Sequence, residues 1–132
     1  TVCRRAEPMD DARLDALAAQ YLASTQDSAS AARAAQIARW RTSYGDANGR
    51  LMMWQRVGCE KCEHDGYHGR LGIHELMLSD DTIRQHIRHR APANEIRLSA
   101  LATGMHTLRQ DGIEKVLQGL TDMSEVLAAT NL

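Results

Sequence analysis

The sequence predicts a mainly α protein with a small β element, an α+β fold in which a cysteine-knuckle subdomain precedes a four-helix bundle. Apolar residues recur at helical spacing in two stretches before residue 45 and in four stretches after residue 79. Between them, a β-type run at residues 50–57 and a glycine-rich run at residues 66–76 flank two cysteines. The formal net charge of −1 and the lack of an apolar run near ~20 residues argue against nucleic-acid binding and membrane insertion.

Two helices are predicted near the beginning of the chain. Residues 11–24 show one apolar stripe at spacings i, i+3, i+4, i+7 and i+8. The stripe consists of Leu14, Leu17, Ala18, Tyr21 and Leu22. Asp10 and Asp11 are expected to cap this helix, and Ser30 is expected to cap a second helix that continues to about Ser43. We interpret the pair as a helical insertion at about residues 10–44.

A short β element is predicted around the cysteine pair. Residues 50–57 carry a β-type run that leads directly into the Cys59–Cys62 knuckle. The segment from Gly69 to Leu76 also favours a short strand. The simplest arrangement pairs residues 50–57 with residues 67–76 as a hairpin or small sheet. A knuckle subdomain is therefore predicted over residues 1–78.

The remainder, residues 79–132, is predicted to form a C-terminal helical subdomain. Short polar or proline-containing breaks separate its four apolar stretches, which is typical of a compact bundle. The predicted helices cover residues 79–90, 92–103, 107–118 and 121 onward.

Three cysteines are candidate metal ligands. Cys59 and Cys62 have the spacing of half a zinc site, and Cys3 supplies a third thiol. A closed structural zinc site needs four ligands, so His64 or His68 would have to supply the fourth. A redox role for the Cys59–Cys62 pair is the alternative, although that chemistry favours a pair at a helix N-terminus.

The segments at residues 58–76, 104–112 and 115–127 together resemble a known family. Gly58-Cys59-x-x-Cys62 is followed by Gly66-Tyr67-x-Gly69-Arg70-x-Gly72-Ile73-His74-Glu75-Leu76. Further along come Gly104-Met105-x-Thr107-Leu108-Arg109-x-Asp111-Gly112 and Glu125-Val126-Leu127. In order and spacing these motifs resemble the C-terminal region of type II secretion and type IV pilus assembly ATPases.

The resemblance implies an accessory region of a hexameric ATPase rather than a complete motor. The sequence contains no Gly-x-x-x-x-Gly-Lys-Ser/Thr phosphate loop, so ATP and Mg²⁺ are expected to bind only in a full-length parent. Implied partners are neighbouring subunits of the hexamer and cytoplasmic or inner-membrane components of the secretion or pilus machinery. The implied location is the cytoplasm, peripheral to the inner membrane through those partners.

Two site expectations follow from the same resemblance. Arg70 is expected near the nucleotide or a subunit boundary in the parent, with a local salt bridge to Glu75 as the alternative. Ala6 stands where the family carries a fourth cysteine, so zinc is expected to be absent or weakly held. An independent zinc-ribbon-like module that binds protein or nucleic acid remains the alternative function, and it would need four ligands and a basic face.

Overall fold

The computed structural model describes residues 3–25 and 29–130. Over these residues the chain forms six helices, a two-stranded antiparallel sheet and a 3-10 turn at Glu60–Cys62. The elements in chain order are β1 (Arg4–Pro8), α1 (Asp11–Leu22), α2 (Ser30–Tyr44), β2 (Met52–Arg56), α3 (Asp81–Arg88), α4 (Ala93–Ala102), α5 (Leu108–Leu117) and α6 (Met123–Thr130). The mainly α fold with a small β element is confirmed, as is the presence of four helices after residue 79.

The predicted pairing of the β element is wrong. Strand β2 pairs with β1, with Ala6 opposite Trp54, rather than with residues 67–76. Within the described residues, the sheet contains these two strands only. The first residues of the chain therefore supply the partner strand, although their sequence had indicated only a degenerate cysteine knuckle.

The segment of residues 70–80 contains neither helix nor strand. Two hydrogen bonds attach it to the start of α5: the His74 N–H donates to Asp111 Oδ2 at 2.7 Å, and Glu75 Oε2 accepts from the Leu108 N–H at 3.0 Å. Alternating apolar residues gave this segment a strand-like pattern, but a strand needs a second backbone as partner. One edge of β2 is occupied by β1, and β2 also packs against α5.

Side-chain caps begin three of the helices, and the Asp10 cap of α1 was predicted. Asp10 accepts from the Arg13 N–H, Asp80 accepts from the Ile83 N–H, and Thr107 forms a reciprocal capping box with Gln110. Ser30 is instead the first helical residue of α2. These caps satisfy N–H groups that lack intrahelical partners, which explains why the helix bounds were predictable within two or three residues.

The core joins residues from both sides of the predicted boundary at residue 78. Helix α1 contributes Leu14 and Leu17, α2 contributes Trp40, and α5 contributes Ile113 and Leu117 to one buried cluster. Helix α5 contacts both α1 and β2. The division into residues 1–78 and 79–132 stays a prediction.

No helix in the described ranges is both long enough and apolar enough to cross a membrane.

Candidate metal centre

The sheet brings the three cysteines together at one end. Cys3 directly precedes β1, and Cys59 follows β2 after a two-residue link. In an antiparallel pair the beginning of one strand lies beside the end of the other. The Val57 N–H donates to the Cys3 carbonyl at 2.8 Å and extends the ladder to this point. The 3-10 turn then returns Cys62 toward Cys59.

The three sulfur atoms form a compact triangle. The Sγ–Sγ distances are 2.8 Å between Cys3 and Cys59, 3.6 Å between Cys3 and Cys62, and 3.8 Å between Cys59 and Cys62. All three side chains are partly exposed, and none is in a disulfide. The predicted thiol set is thus brought within reach of a single metal ion.

Backbone N–H groups fix the sulfur of Cys62. The N–H groups of Cys59 and Gly66 each donate to it at 3.2 Å. Desolvation by itself raises the pKa of Cys62, but these two donors, with the neighbouring thiols, lower it to about 7. Gly66 has φ +86°, and a Cβ there would lie 2.7 Å from Arg56 Cβ. The sequence indicated only that the backbone turns at Gly66, whereas its N–H also supports the thiol cluster.

The pKa of the Cys3 thiol shifts in the opposite direction to that of Cys62. Side-chain hydrogen bonding with Cys59 and then with Cys62, together with desolvation, raises the pKa of Cys3 to about 12. Negative charge on the neighbouring sulfurs contributes to the rise. The cluster therefore combines a Cys62 thiol that ionises more readily with a Cys3 thiol that resists ionisation, because a second thiolate at this spacing is repelled unless a cation neutralises it.

The described residues do not complete a closed zinc site. With Zn–S bonds of ≈ 2.3 Å, sulfurs in a tetrahedron lie about 3.8 Å apart, so two of the three separations fit and the Cys3–Cys59 separation is about 1 Å short. Across residues 3–25 and 29–130, the cluster of ligand atoms within 4.8 Å of one another contains the three cysteines and no histidine. The exposed His64 and His68 thus lie outside it.

Ala6 is also in the wrong place for a fourth ligand. It lies in β1 opposite Trp54, three residues beyond Cys3. Three residues of extended chain span about 10 Å, and residues at odd spacing point to opposite faces of a strand. A thiol at position 6 would therefore lie far from the three sulfurs unless β1 rearranged.

Arg70 lies beyond the cluster at the rim of a separate groove. The groove has a volume of about 640 Å³ and is bordered by Tyr67, Leu71 and the exposed side of α6. Arg70 is exposed, and no ion pair or hydrogen bond involves its guanidinium in the described part of the chain. Among the described residues no ion pair joins Arg70 to Glu75, and the Glu75 carboxylate accepts from the Leu108 N–H.

Comparison with known proteins identifies the family of this chain. The sequence profile of the family described as "Type II/IV secretion system protein" matches residues 7–128. The chain therefore belongs to this family.

Individual relatives match the chain over 78 to 80 residues. The type IV pilus assembly ATPase PilB of Thermus thermophilus is 49% identical over 78 residues, which is 59% of this chain and 9% of the relative. The type II secretion system protein E of Aeromonas hydrophila is 48% identical over 80 residues, or 59% of this chain and 15% of the relative. The type II secretion system ATPase E of Vibrio cholerae is 41% identical over 80 residues, or 61% and 16%. The chain thus spans less than a fifth of the length of these relatives.

Proposed function

We propose that this chain is the C-terminal accessory region of a hexameric ATPase that powers type II protein secretion or type IV pilus assembly. Membership of the secretion-system family and the names of its relatives support this role. In this proposal the region contributes subunit contacts and partner docking, while ATP and Mg²⁺ bind elsewhere in the parent. The observation that carries the proposal is the uncovered apolar segment at residues 70–78.

The segment of residues 70–78 exposes several large apolar side chains. Leu76 is 70% exposed and Leu78 is 72% exposed, and Leu71 and Met77 are also exposed. Leu76 and Leu78 border a groove of about 330 Å³ whose opposite wall includes Met105. A contiguous exposed apolar surface of this kind marks an interaction site. The nucleotide-binding part of the parent, or a neighbouring subunit, is the partner that we propose for it.

Arg70 gives this interface a charged group. Gly69 and Gly72 flank it, so the backbone can approach a partner closely while the guanidinium stays free. Guanidinium groups bind phosphate oxygens through paired N–H donors. We propose that Arg70 contacts the nucleotide phosphates or the subunit boundary in the hexamer.

The test is Arg70→Ala in the full-length ATPase that contains this region. Loss of one preorganised contact to developing charge costs about 10²–10³-fold in rate, so ATPase activity should fall by that order. Arg97→Ala is the matched control, since Arg97 is exposed on α4 and makes no ion pair in the described ranges. Wild-type activity in the Arg70→Ala protein, or an equal loss in both variants, would contradict the role of Arg70.

A second experiment separates this region from the motor. The purified 132-residue chain should show no tight binding of ATP and Mg²⁺ in calorimetry and no ATP hydrolysis. A micromolar dissociation constant would show that the chain itself carries a nucleotide site. That result would remove the basis for an accessory role.

For the metal, we propose that the thiol cluster does not hold a closed structural zinc ion. Three thiols without a fourth ligand leave one position to water, and such a site contributes less folding free energy than a complete one. Elemental analysis of the untagged chain, followed by competition with a chelator, measures this directly. One zinc per chain that resists the chelator would contradict the proposal.

The remaining partners and the location follow from the same role. We propose contacts with neighbouring subunits of the hexamer and with cytoplasmic or inner-membrane components of the apparatus, and no nucleic acid. The protein would then act in the cytoplasm, at the inner membrane through those components. The independent zinc-ribbon-like alternative lacks support from the ligand set, since three thiols rather than four ligands converge among the described residues.

A further inference from the structure

The three-thiol cluster has a property that a four-ligand zinc site would not need. One pair of its sulfurs, Cys3 Sγ and Cys59 Sγ, lies at 2.8 Å, much closer than the other two pairs. A disulfide has an S–S bond of about 2.05 Å, so this pair would have to close by less than 1 Å. The other two pairs would have to close by roughly 1.5 Å or more.

We propose that Cys3 and Cys59 form an oxidation site, in which a peroxide converts the two thiols to a disulfide. The Cys59 sulfur, as its thiolate, attacks a peroxide oxygen, the O–O bond breaks, and hydroxide leaves, which gives a sulfenic acid on Cys59. The sulfur of the other cysteine then attacks the sulfenic sulfur, the S–O bond breaks, and water leaves with the remaining thiol proton. For hydrogen peroxide the sum is two thiols and one peroxide converted to one disulfide and two waters.

The surroundings of Cys62 explain why the third thiol is left out. Its sulfur accepts from the N–H groups of Cys59 and Gly66, and its own thiol donates to the Cys59 carbonyl at 3.3 Å. Moving this sulfur into a bond would break contacts that the 3-10 turn provides. Cys3 lies before the first strand, and the contacts of its thiol are with the other two thiols.

The new bond would join the two ends of the sheet. Cys3 lies beside Val57, whose N–H already donates to the Cys3 carbonyl, so the cross-link continues the β1–β2 ladder. It would close a loop that contains α1, α2 and both strands, and closing a long loop stabilises the folded state by restricting the unfolded chain. It would also remove two of the three thiols that can bind a soft metal ion. Oxidation and metal binding therefore exclude each other at this site.

The decisive measurement is the identity of the linked peptides. The reduced 132-residue chain is treated with hydrogen peroxide, its free thiols are alkylated, and it is digested with trypsin without reduction. Trypsin places each cysteine on its own peptide: Thr1–Arg4, Val57–Lys61 and Cys62–Arg70. The expected product links the first two and leaves Cys62 alkylated, with a mass loss of about 2 Da in the intact chain. Reduction should restore the mass and the separate peptides.

Two variants sharpen the test. Cys62→Ser should form the same disulfide at a rate within about twofold, because its sulfur is not used. Cys59→Ser should lose it and should show no oxidised gain in melting temperature, whereas the wild-type chain should gain about 10 °C. A link between Cys59 and Cys62, a disulfide between two chains, or stepwise oxidation of the thiols to sulfinic acid without any link would each overturn the proposal.

Discussion

Replacing Glu114 should weaken the attachment of the helical insertion to the C-terminal helices. The Glu114 carboxylate accepts from the Tyr21 hydroxyl at 2.8 Å and from the Tyr44 hydroxyl at 3.3 Å. Tyr21 lies in α1, Tyr44 ends α2, and Glu114 lies in α5. One side chain therefore ties both helices of the insertion to the helix that completes the core.

The expected loss of stability follows from the burial of Tyr21 and the charge of Glu114. Tyr21 is only 5% exposed, and the Glu114 side chain is 23% exposed, so water replaces little of what is lost. A hydrogen bond to a charged group stabilises the folded state by about 1.5–3 kcal/mol. A buried hydroxyl that loses its partner adds a desolvation cost that is similar in size to the contribution of an ordinary hydrogen bond. We expect Glu114→Ala to lower the free energy of unfolding by about 2–4 kcal/mol. We expect Glu114→Gln, which keeps an acceptor, to lower it by about 1 kcal/mol.

Urea denaturation of a double-mutant cycle isolates the contact. Tyr21→Phe, Glu114→Ala and the double variant should show a coupling free energy of about 1 kcal/mol or more, because each single change removes the hydrogen bond. Tyr44→Phe is the matched control, and its coupling should be smaller because its hydrogen bond is longer. Burial, then the hydrogen bond to Glu114, raises the pKa of Tyr21, so ultraviolet titration of Glu114→Gln should show this pKa moving back toward its ordinary value. Additive effects of Tyr21→Phe and Glu114→Ala would refute this reasoning.

Three further perturbations test the packing, the thiol cluster and one half-buried charge. Gly112→Ala should lower the free energy of unfolding by about 1–3 kcal/mol despite the better helix propensity of alanine, because the added Cβ would lie 2.6 Å from Val126 Cγ1; a more stable variant in thermal melts would contradict this. Ala6→Cys should leave the zinc or cadmium bound per chain unchanged in a titration, and a gained equivalent would mean that β1 rearranges. Desolvation opposes ionisation of Asp111, but hydrogen bonds from Lys115 and the backbone lower its pKa below the ordinary value. The ionised carboxylate therefore stabilises the fold at pH values above its unfolded pKa, and this stabilisation is lost as the pH falls through its folded pKa. The stability gap between wild type and Asp111→Asn in urea melts should therefore shrink below about pH 4, and a gap that stays constant down to pH 2 would rule out this linkage.

Helices were predictable because their hydrogen bonds and caps are local. The apolar stripe of α1 appears in the sequence at the spacing that the structure buries. Asp10, Asp80 and Thr107 each accept from an N–H three residues ahead, so the cap and the helix start are encoded within one turn. Family motifs carried further information, since they predicted the family to which the chain belongs.

Strand pairing and the surroundings of the charged residues required the tertiary structure. The sequence favoured residues 67–76 as the partner of β2, whereas long-range packing selects β1. Glu75 was a candidate partner of Arg70, whereas the approach of α5 gives it the Leu108 N–H.

For the thiol cluster, too, part of the site was predictable from the sequence and part required the tertiary structure. The sequence by itself determined that three cysteines were the candidate ligands, and the family resemblance implied that a fourth was missing at position 6. The structure decided that Cys3 and Cys59 lie at 2.8 Å, that neither His64 nor His68 joins the three sulfurs, and that Ala6 lies in β1. The reason is physical: helical contacts lie three or four residues apart in the chain, whereas Cys3 and Cys59 meet across 56 residues through the register of two strands.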